Sequence, residues 1–397
     1  VYKILSLDGG GAWALIQVKA LQDIYGTEAL GHAVLSDFDM AVANSGGSIV
    51  LGGLLENQPL STVLNDFMDE ALRHSIFQPT THILDWLISR TGFGPRYSSQ
   101  RKLPALQRLL PNSGGKPLTE VARGVRAANS EADVHILITG FDYDRSVAAF
   151  FRSKPVGSVE WGEGGASDDV ELAQAIHASS NAPVNFFDGP ASWSTGGARF
   201  WDGAIAACNN PVLAGVAEAI TLEVAPHDIR ALSIGTGTVR KPGPPSDNPA
   251  PLFLRRTVPS FLADLPKLAG SITDDPPDVA SFLAHVMTDG REGLPPGAVS
   301  RIVRMNPMIS LERTHRDDQW RVPGGWPVAR LAHLQGVDLT ALAQPDVQLI
   351  SDFADLWLRD ETLNQPLRVN ADTLASKLGA DRYSRALAAW LEITRGA

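Results

Sequence analysis

The side chains able to do chemistry gather first at two glycine-flanked turns. Asp8-Gly9-Gly10-Gly11 follows the apolar run Lys3-Ile4-Leu5-Ser6-Leu7. Three glycines let the backbone turn sharply and leave its amides uncovered. Helical spacing begins directly afterwards, so those amides join the positive end of a helix dipole and favour negative charge. That charge is either a phosphate or the oxyanion formed when an ester carbonyl is attacked. Ala43-Asn44-Ser45-Gly46-Gly47 has the same placement between a strand and a helix. It approximates the elbow G-x-S-x-G with alanine in first position, where small neighbours permit a sharp turn that thrusts the serine outward. Ser45 is therefore a candidate nucleophile, although the five residues also read as a plain Ser/Gly turn. Ser48 falls within the first helical turn and is the weaker candidate.

A serine nucleophile needs a base. None of the nine histidines stands in a setting that singles it out. His177, just ahead of a run of small residues, comes nearest, but reads more simply as a satisfied helix residue. Asp142-Tyr143-Asp144-Arg145 reads first as a solvated loop and second as the rim of a pocket. Gly9-Gly10-Gly11-Ala12-Trp13-Ala14 also satisfies the dinucleotide pattern G-x-G-x-x-A. The second strand, however, ends in Val42-Ala43-Asn44-Ser45, without the carboxylate that would hold a ribose hydroxyl. No H-E-x-x-H, EF-hand or P-loop pattern is present. The single cysteine, Cys208, excludes an intrachain disulfide and a cysteine-based zinc site. No cofactor and no metal is expected.

The elements that must position these residues alternate. Leu15, Val18, Leu21 and Ile24 give helical spacing over residues 14–25. Residues 37–43 read as a second buried strand, followed by a helix through Leu55. Ser61 looks like the N-cap of a helix from Val63 to Leu72. Further strands are expected at residues 135–141, 148–152 and 232–235, the last closing on Gly-Thr-Gly. This rhythm predicts an α/β fold with a mainly parallel sheet. The proline-rich residues 241–251 read as a linker or loop. Residues 258–287 look mostly helical, broken near Pro276-Pro277, and residues 300–305 return a strand to the sheet. The tail is helical, with Val347, Ile350, Phe353 and Trp357 on one face and Leu387, Trp390 and Leu391 on another. There is no internal repeat.

The bulk numbers narrow the function classes. With 397 residues and 44% hydrophobic content the chain can bury a large core, as one domain or two. A net charge of -10 argues against nucleic-acid binding, which needs clustered lysine and arginine, and against long-range attraction to an anionic membrane. No apolar run is long enough to span a bilayer. No signal peptide is visible after Val1. The expected location is the cytoplasm, with peripheral contact at membranes. Secretion, with a signal removed before Val1, stays open.

Phe200-Trp201-Asp202-Gly203-Ala204 runs on into Asn209-Asn210-Pro211 and a helix. Together with Asp8-Gly9-Gly10-Gly11 and the serine elbow, in that order, it resembles the patatin-like phospholipase family. Ala178-Ser179-Ser180-Asn181-Ala182-Pro183 through Phe187, and Ser233-Ile234-Gly235-Thr236-Gly237, are similar to further segments of that family. The resemblance covers about residues 3–240. Beyond it, Arg304-Met305-Asn306-Pro307 is the best candidate for a late family strand. The resemblance implies a three-layer α/β/α fold and a dyad without histidine. Ser45 would be the nucleophile, Asp202 its base, and the amides of Gly9, Gly10 and Gly11 the oxyanion hole. Substrates would be lipid esters, with no metal needed. A free aspartate, with a pKa of about 3.9, is a poor base at neutral pH. Burial raises it, and Phe200 and Trp201 are expected to supply part of the apolar surroundings.

On this reading residues 1–240 form the catalytic core. Residues 241–300 form a proline-rich loop and a lid-like helical segment, in which Leu252, Phe253, Leu254, Phe261 and Leu262 flank Arg255-Arg256. Residues 301–397 add the returning strand and the C-terminal helices packed on the core. Two positions depart from the family pattern. Trp13 stands where an arginine is usual, which removes a contact for an anionic head group, and Ala43 replaces a glycine. The alternatives are a soluble short-chain esterase or thioesterase and, from another class, an inactive or dinucleotide-binding module on the same fold. Head-group preference and oligomeric state stay open.

Overall fold

The computed structural model describes residues 1–80, 94–127, 132–154, 170–194, 196–239, 276–290, 294, 298–313, 320–369 and 376–395. Its centre is a seven-stranded sheet. The strands are β1 (Tyr2–Leu7), β2 (Met40–Ala43), β3 (His135–Asp142), β4 (Val147–Arg152), β5 (Phe200–Asp202), β6 (Ile229–Ile234) and, after the short β7 (Thr238–Val239), β8 (Ile302–Met305). The order is β4-β3-β2-β1-β6-β8, with β5 also on β3. Strands β3, β2, β1, β6 and β8 run parallel, while β4 and β5 lie antiparallel to β3. The mixed α/β fold with a mainly parallel sheet is as the sequence predicts.

The strands read as nearly unbroken apolar runs because both faces of the sheet are covered. Alternate residues point to opposite faces. Leu5, Leu7, Ala41, Ala43, Ile136, Ile138, Leu232 and Ile234 enter one core. They meet helices α1 (Leu15–Tyr25), α2 (Ser45–Leu55) and, after α3 (Ser99–Leu109), α4 (Leu172–Ser179). Ile4, Met40, Val42, Leu137, Ala231 and Ile302 enter the other. There they meet Val212, Val216 and Ala219 of α5 (Val212–Thr221), and Ala280 and Ala284 of α6 (Pro276–Asp289). This two-sided burial is the three-layer sandwich.

The C-terminal helices α7 (Gln344–Leu358) and α8 (Tyr383–Thr394) join the first core. Trp390 stacks on Phe38 at 5.8 Å, Trp357 meets Tyr383 edge-on at 4.7 Å, and the Tyr383 hydroxyl donates to Asp23 at 2.8 Å. No helix among the described residues is long and apolar enough to cross a membrane.

Two local expectations need correction. The second strand begins at Met40, because Asp37 and Asp39 are spent on Lys3, taking its ammonium at 2.8 Å and its amide at 2.7 Å. Ser61 caps no helix. One helix spans Leu60–Met68 after Pro59, and a second, Glu70–Ile76, is capped by Asp69 through the amides of Ala71 and Leu72. The Ser61 hydroxyl bonds Glu28 instead. Pro276 and Pro277 open α6, at the break the sequence predicts, and the expected helical residues 258–275 before them lie outside the described residues. Proline suits a first turn, where its missing N–H would have no partner. The linker at 241–251 and the lid-like residues 252–262 lie outside the described residues.

Candidate active site

Strand β2 stops at Ala43 and helix α2 starts at Ser45, so the reversal falls on two residues. Asn44 is extended, and Ser45 has φ 48°. This left-handed conformation costs a non-glycine residue about 1–3 kcal/mol and persists only where the surroundings impose it. They do so here. The Ser45 amide donates to the Ser179 hydroxyl at the end of α4 (2.9 Å), and the Ser48 hydroxyl donates to the Ser45 carbonyl (2.6 Å). Ser48 is thereby buried and committed. Gly47 lets α2 press against β1, since a Cβ there would meet the Leu7 carbonyl.

The sheet then supplies the partner. Strand β3 outruns β2, whose last pairing is Ala43 with Ile138. The vacated edge is taken by β5, running antiparallel, with Asp202 opposite Gly140. This sets Asp202 beside the elbow. The Asn44 side-chain amide donates to its carboxylate at 3.0 Å, as does the Ala204 backbone amide at 2.9 Å. Asn44 is itself fixed by the Thr139 hydroxyl, which donates to its carbonyl oxygen at 2.7 Å. Burial pushes the Asp202 carboxyl above the usual carboxylate range. The Ala204 amide, the Ser45 hydroxyl, Asn44 and the nearby Lys102 charge pull partly the other way.

The glycine loop closes the third side. A Cβ on Gly9 would lie 2.9 Å from that of Ser45, so only glycine allows the approach. The Gly9 amide donates to the Asn209 carbonyl (2.8 Å), and the Thr236 hydroxyl donates to the Gly9 carbonyl (2.7 Å). Among the described residues, the Gly10 and Gly11 amides have no such backbone acceptor. At the base of the loop, Arg304 on β8 donates to Asp8 at 2.6 Å and to Ser233 at 2.8 Å, with both charged side chains under 5% exposed.

Gly9, Gly10, Gly11, Ser45 and Asp202 thus line one cavity of about 350 Å³. Its remaining wall is largely apolar, with Trp13, Ile49, Phe77, Phe186, Phe187 and Leu339. Such an enclosure offers a hydroxyl next to a buried carboxyl, uncovered amides, and room for a hydrocarbon chain.

The model of the patatin-like phospholipase family matches residues 5–216, more than half of the chain. The chain belongs to this family of lipid hydrolases. Among solved structures it is similar to VipD from Legionella pneumophila, with 10% identity over 89% of this chain and 66% of that one and a TM-score of 0.32. It is also similar to the type III effector protein ExoU, with 12% identity over 89% of this chain and 53% of that one and a TM-score of 0.26. The chain therefore spans less than two thirds of either protein's length. No curated protein matches it.

Other candidates fall away from the cavity. His177 is buried in α4, and burial, with Lys102 nearby, lowers it to about 3, so it stays neutral. Phe200 and Trp201 do not wall the cavity as expected. Phe200 packs on Phe151 and Trp193, and Trp201 on Tyr143. Their place is taken by Phe77, Phe186 and Phe187. Asp142 ends β3 and caps the turn to β4 that holds Tyr143, Asp144 and Arg145, with Asp144 paired to exposed Arg199. No group of three or more metal-ligating side chains gathers among the described residues. Asn44, Ser179, Lys102 and the Arg304–Asp8 pair were not singled out from sequence as parts of the site. For Lys102 there is a signal: it shares the apolar face of α3 with Ala105 and Leu106, at positions i, i+3 and i+4, where a lysine is unusual.

Proposed function

We propose that the protein is a lipid acyl hydrolase that cleaves carboxylic esters through Ser45 and Asp202. The observation that carries this reading is the strained serine elbow set against a buried carboxylate in an apolar cavity. Ser45 Oγ bonds to the ester carbonyl carbon as its proton passes to Asp202. The carbonyl electron pair moves to oxygen, where amides of the glycine loop receive it. Gly10 and Gly11 are the donors of choice, since Gly9 already donates to Asn209. Gly9 contributes by lacking a side chain. Asp202 returns the proton to the leaving alcohol, leaving an acyl group on Ser45. Water, giving a proton to Asp202, then bonds to the acyl carbon, and as the acyl–Oγ bond breaks that proton passes to Ser45 and the fatty acid leaves.

An aspartate serves as base here because burial raises its proton affinity, while its hydrogen bonds keep an ionised form accessible. Trp13 gives the cavity an apolar surface where the family usually has an arginine, so acyl-chain contacts weigh more than head-group charge in choosing substrate. Residues 1–240 carry the reaction, and the C-terminal helices complete their core.

A fluorophosphonate probe should label Ser45, and Ser45→Ala and Asp202→Asn should each abolish ester hydrolysis. Full activity in Asp202→Asn would exclude the dyad. In a chain-length series of model esters, long chains and micelles should raise the rate. A preference for short chains with no gain from micelles would make this a soluble esterase instead.

A further inference from the structure

The dyad and the Arg304–Asp8 pair leave one charged group of the cavity without a role. Lys102 on α3 is 1% exposed, yet it lines the same cavity as Ser45 and Asp202. Its ammonium donates to the Ser180 carbonyl, one residue past the end of α4, and stands 4.2 Å from the centroid of the Phe187 ring. Both contacts suit a cation: the first at a helix C-terminus, the second over an aromatic face. A buried ammonium still needs a counter-charge.

The neighbouring elements offer one. From β5, Asp202 acts on Lys102. From α4, His177 is neutral. Asp188 is turned to the start of α3, where it accepts the Ser99 amide at 2.8 Å. On the helix Glu70–Ile76, Arg73 points to the carbonyls of Phe67 and Leu342, while Glu70 and His74 pair at the surface. The segment Lys102 grips is also the one that seats the base, because the Asp202 amide donates to the Asn181 carbonyl at 3.1 Å.

We infer that Lys102 is a positioning residue that keeps Asp202 ionised in the resting enzyme and balances the cavity's charge during attack. The inference rests on the Ser45–Asp202 reading. Before attack, the lysine cation and the carboxylate share one cavity. As Ser45 bonds to the carbonyl carbon, its proton neutralises Asp202 and a negative charge appears on the former carbonyl oxygen. The summed charge of lysine, aspartate and substrate stays zero throughout. Without the lysine, the same step would run through a net negative cavity of low polarity. Burial draws Lys102 down to about 7, against the opposing pull of Asp202, so the cation should titrate near neutrality.

The test is the pH dependence of fluorophosphonate labelling at Ser45 in the wild type, Lys102→Met and Lys102→Arg. The wild type should lose reactivity as pH rises through the lysine's titration. Lys102→Met should lack that basic limb, move the acid limb upward, and label at least about ten-fold more slowly near neutrality, one pKa unit being worth that factor. Lys102→Arg, always charged, should restore most of the rate and also lack the basic limb. Three profiles of the same shape, whatever their heights, would overturn the inference, since a merely structural lysine changes the amount of competent protein and not the position of a limb. Should Lys102→Met fail to fold, the wild-type limb and its absence in Lys102→Arg decide. If wild-type Ser45 does not label at all, the dyad itself is wrong and the role of Lys102 falls with it.

Discussion

Asn44 offers the sharpest quantitative test of how Asp202 is tuned. Its side chain donates to the carboxylate at 3.0 Å and accepts from Thr139 at 2.7 Å, and it has no exposed surface. Asn44→Ala deletes a hydrogen bond to a charged group, worth about 1.5–3 kcal/mol. One pKa unit corresponds to about 1.36 kcal/mol, so Asp202 should rise by roughly 1–2 units. The sign follows from which form the bond favours. Asn44 donates, so it stabilises the ionised carboxylate, and its loss raises the pKa further above the ordinary aspartate value. On the proposed mechanism, ionised Asp202 is the active form of the base. The acid limb of kcat/KM should therefore move to higher pH by about 1–2 units, with a loss of roughly 10- to 100-fold below the new limb. Above it the two profiles should converge. The assay is the pH profile of kcat/KM on a model ester, with thermal unfolding followed in parallel. Thr139 loses its acceptor, so some stability should be lost as well, but a loss of stability does not displace a limb. An acid limb that stays in place, or moves to lower pH, would refute the role given to Asn44 and weaken the case for Asp202 as base.

Two further substitutions probe the glycine loop. Gly9→Ala sets a methyl group against Asn209 and 2.9 Å from the Ser45 Cβ, so the loop and Ser45 must separate. The expected loss in kcat is about 100- to 1,000-fold, the usual cost of one misplaced oxyanion donor, and undiminished kcat would show that the loop does not serve the reaction. Arg304→Met leaves the Asp8 charge buried without its guanidinium, 2.6 Å away in the native protein. Breaking one side of such a pair costs about 3–5 kcal/mol, to be read from chemical denaturation. The double variant with Asp8→Asn should recover part of that loss, and an additive result would mean that the two residues are not coupled.

The parts of the site legible in the sequence are those whose chemistry is local. Triple glycine before a helix, and small residues on both sides of Ser45, announce tight turns because few other residues permit them. The alternating strands and helices announce the sheet, because each apolar face must be buried. What brings the two turns together is not local. Asp202 reaches Ser45 because β3 extends past the end of β2 and leaves an edge that β5 fills, a fact of strand length and register. Nothing in Phe200-Trp201-Asp202 encodes it, so Asp202 enters as the proposed base through family resemblance rather than through its own surroundings. The same holds for the apolar wall. Residues next to Asp202 in the chain were the natural guess, yet successive side chains on a strand point to opposite faces, and Trp201 is turned toward Tyr143. Phe186 and Phe187 come instead from the segment that follows α4. Lys102 is the instructive case between these extremes. Its i, i+3, i+4 spacing with Ala105 and Leu106 is a sequence signal of burial, and burial of an ammonium requires an anion nearby. Sequence could thus have posed the question of its partner, but only the packing of α3 against the end of α4, where Asp202 is seated, supplies an answer.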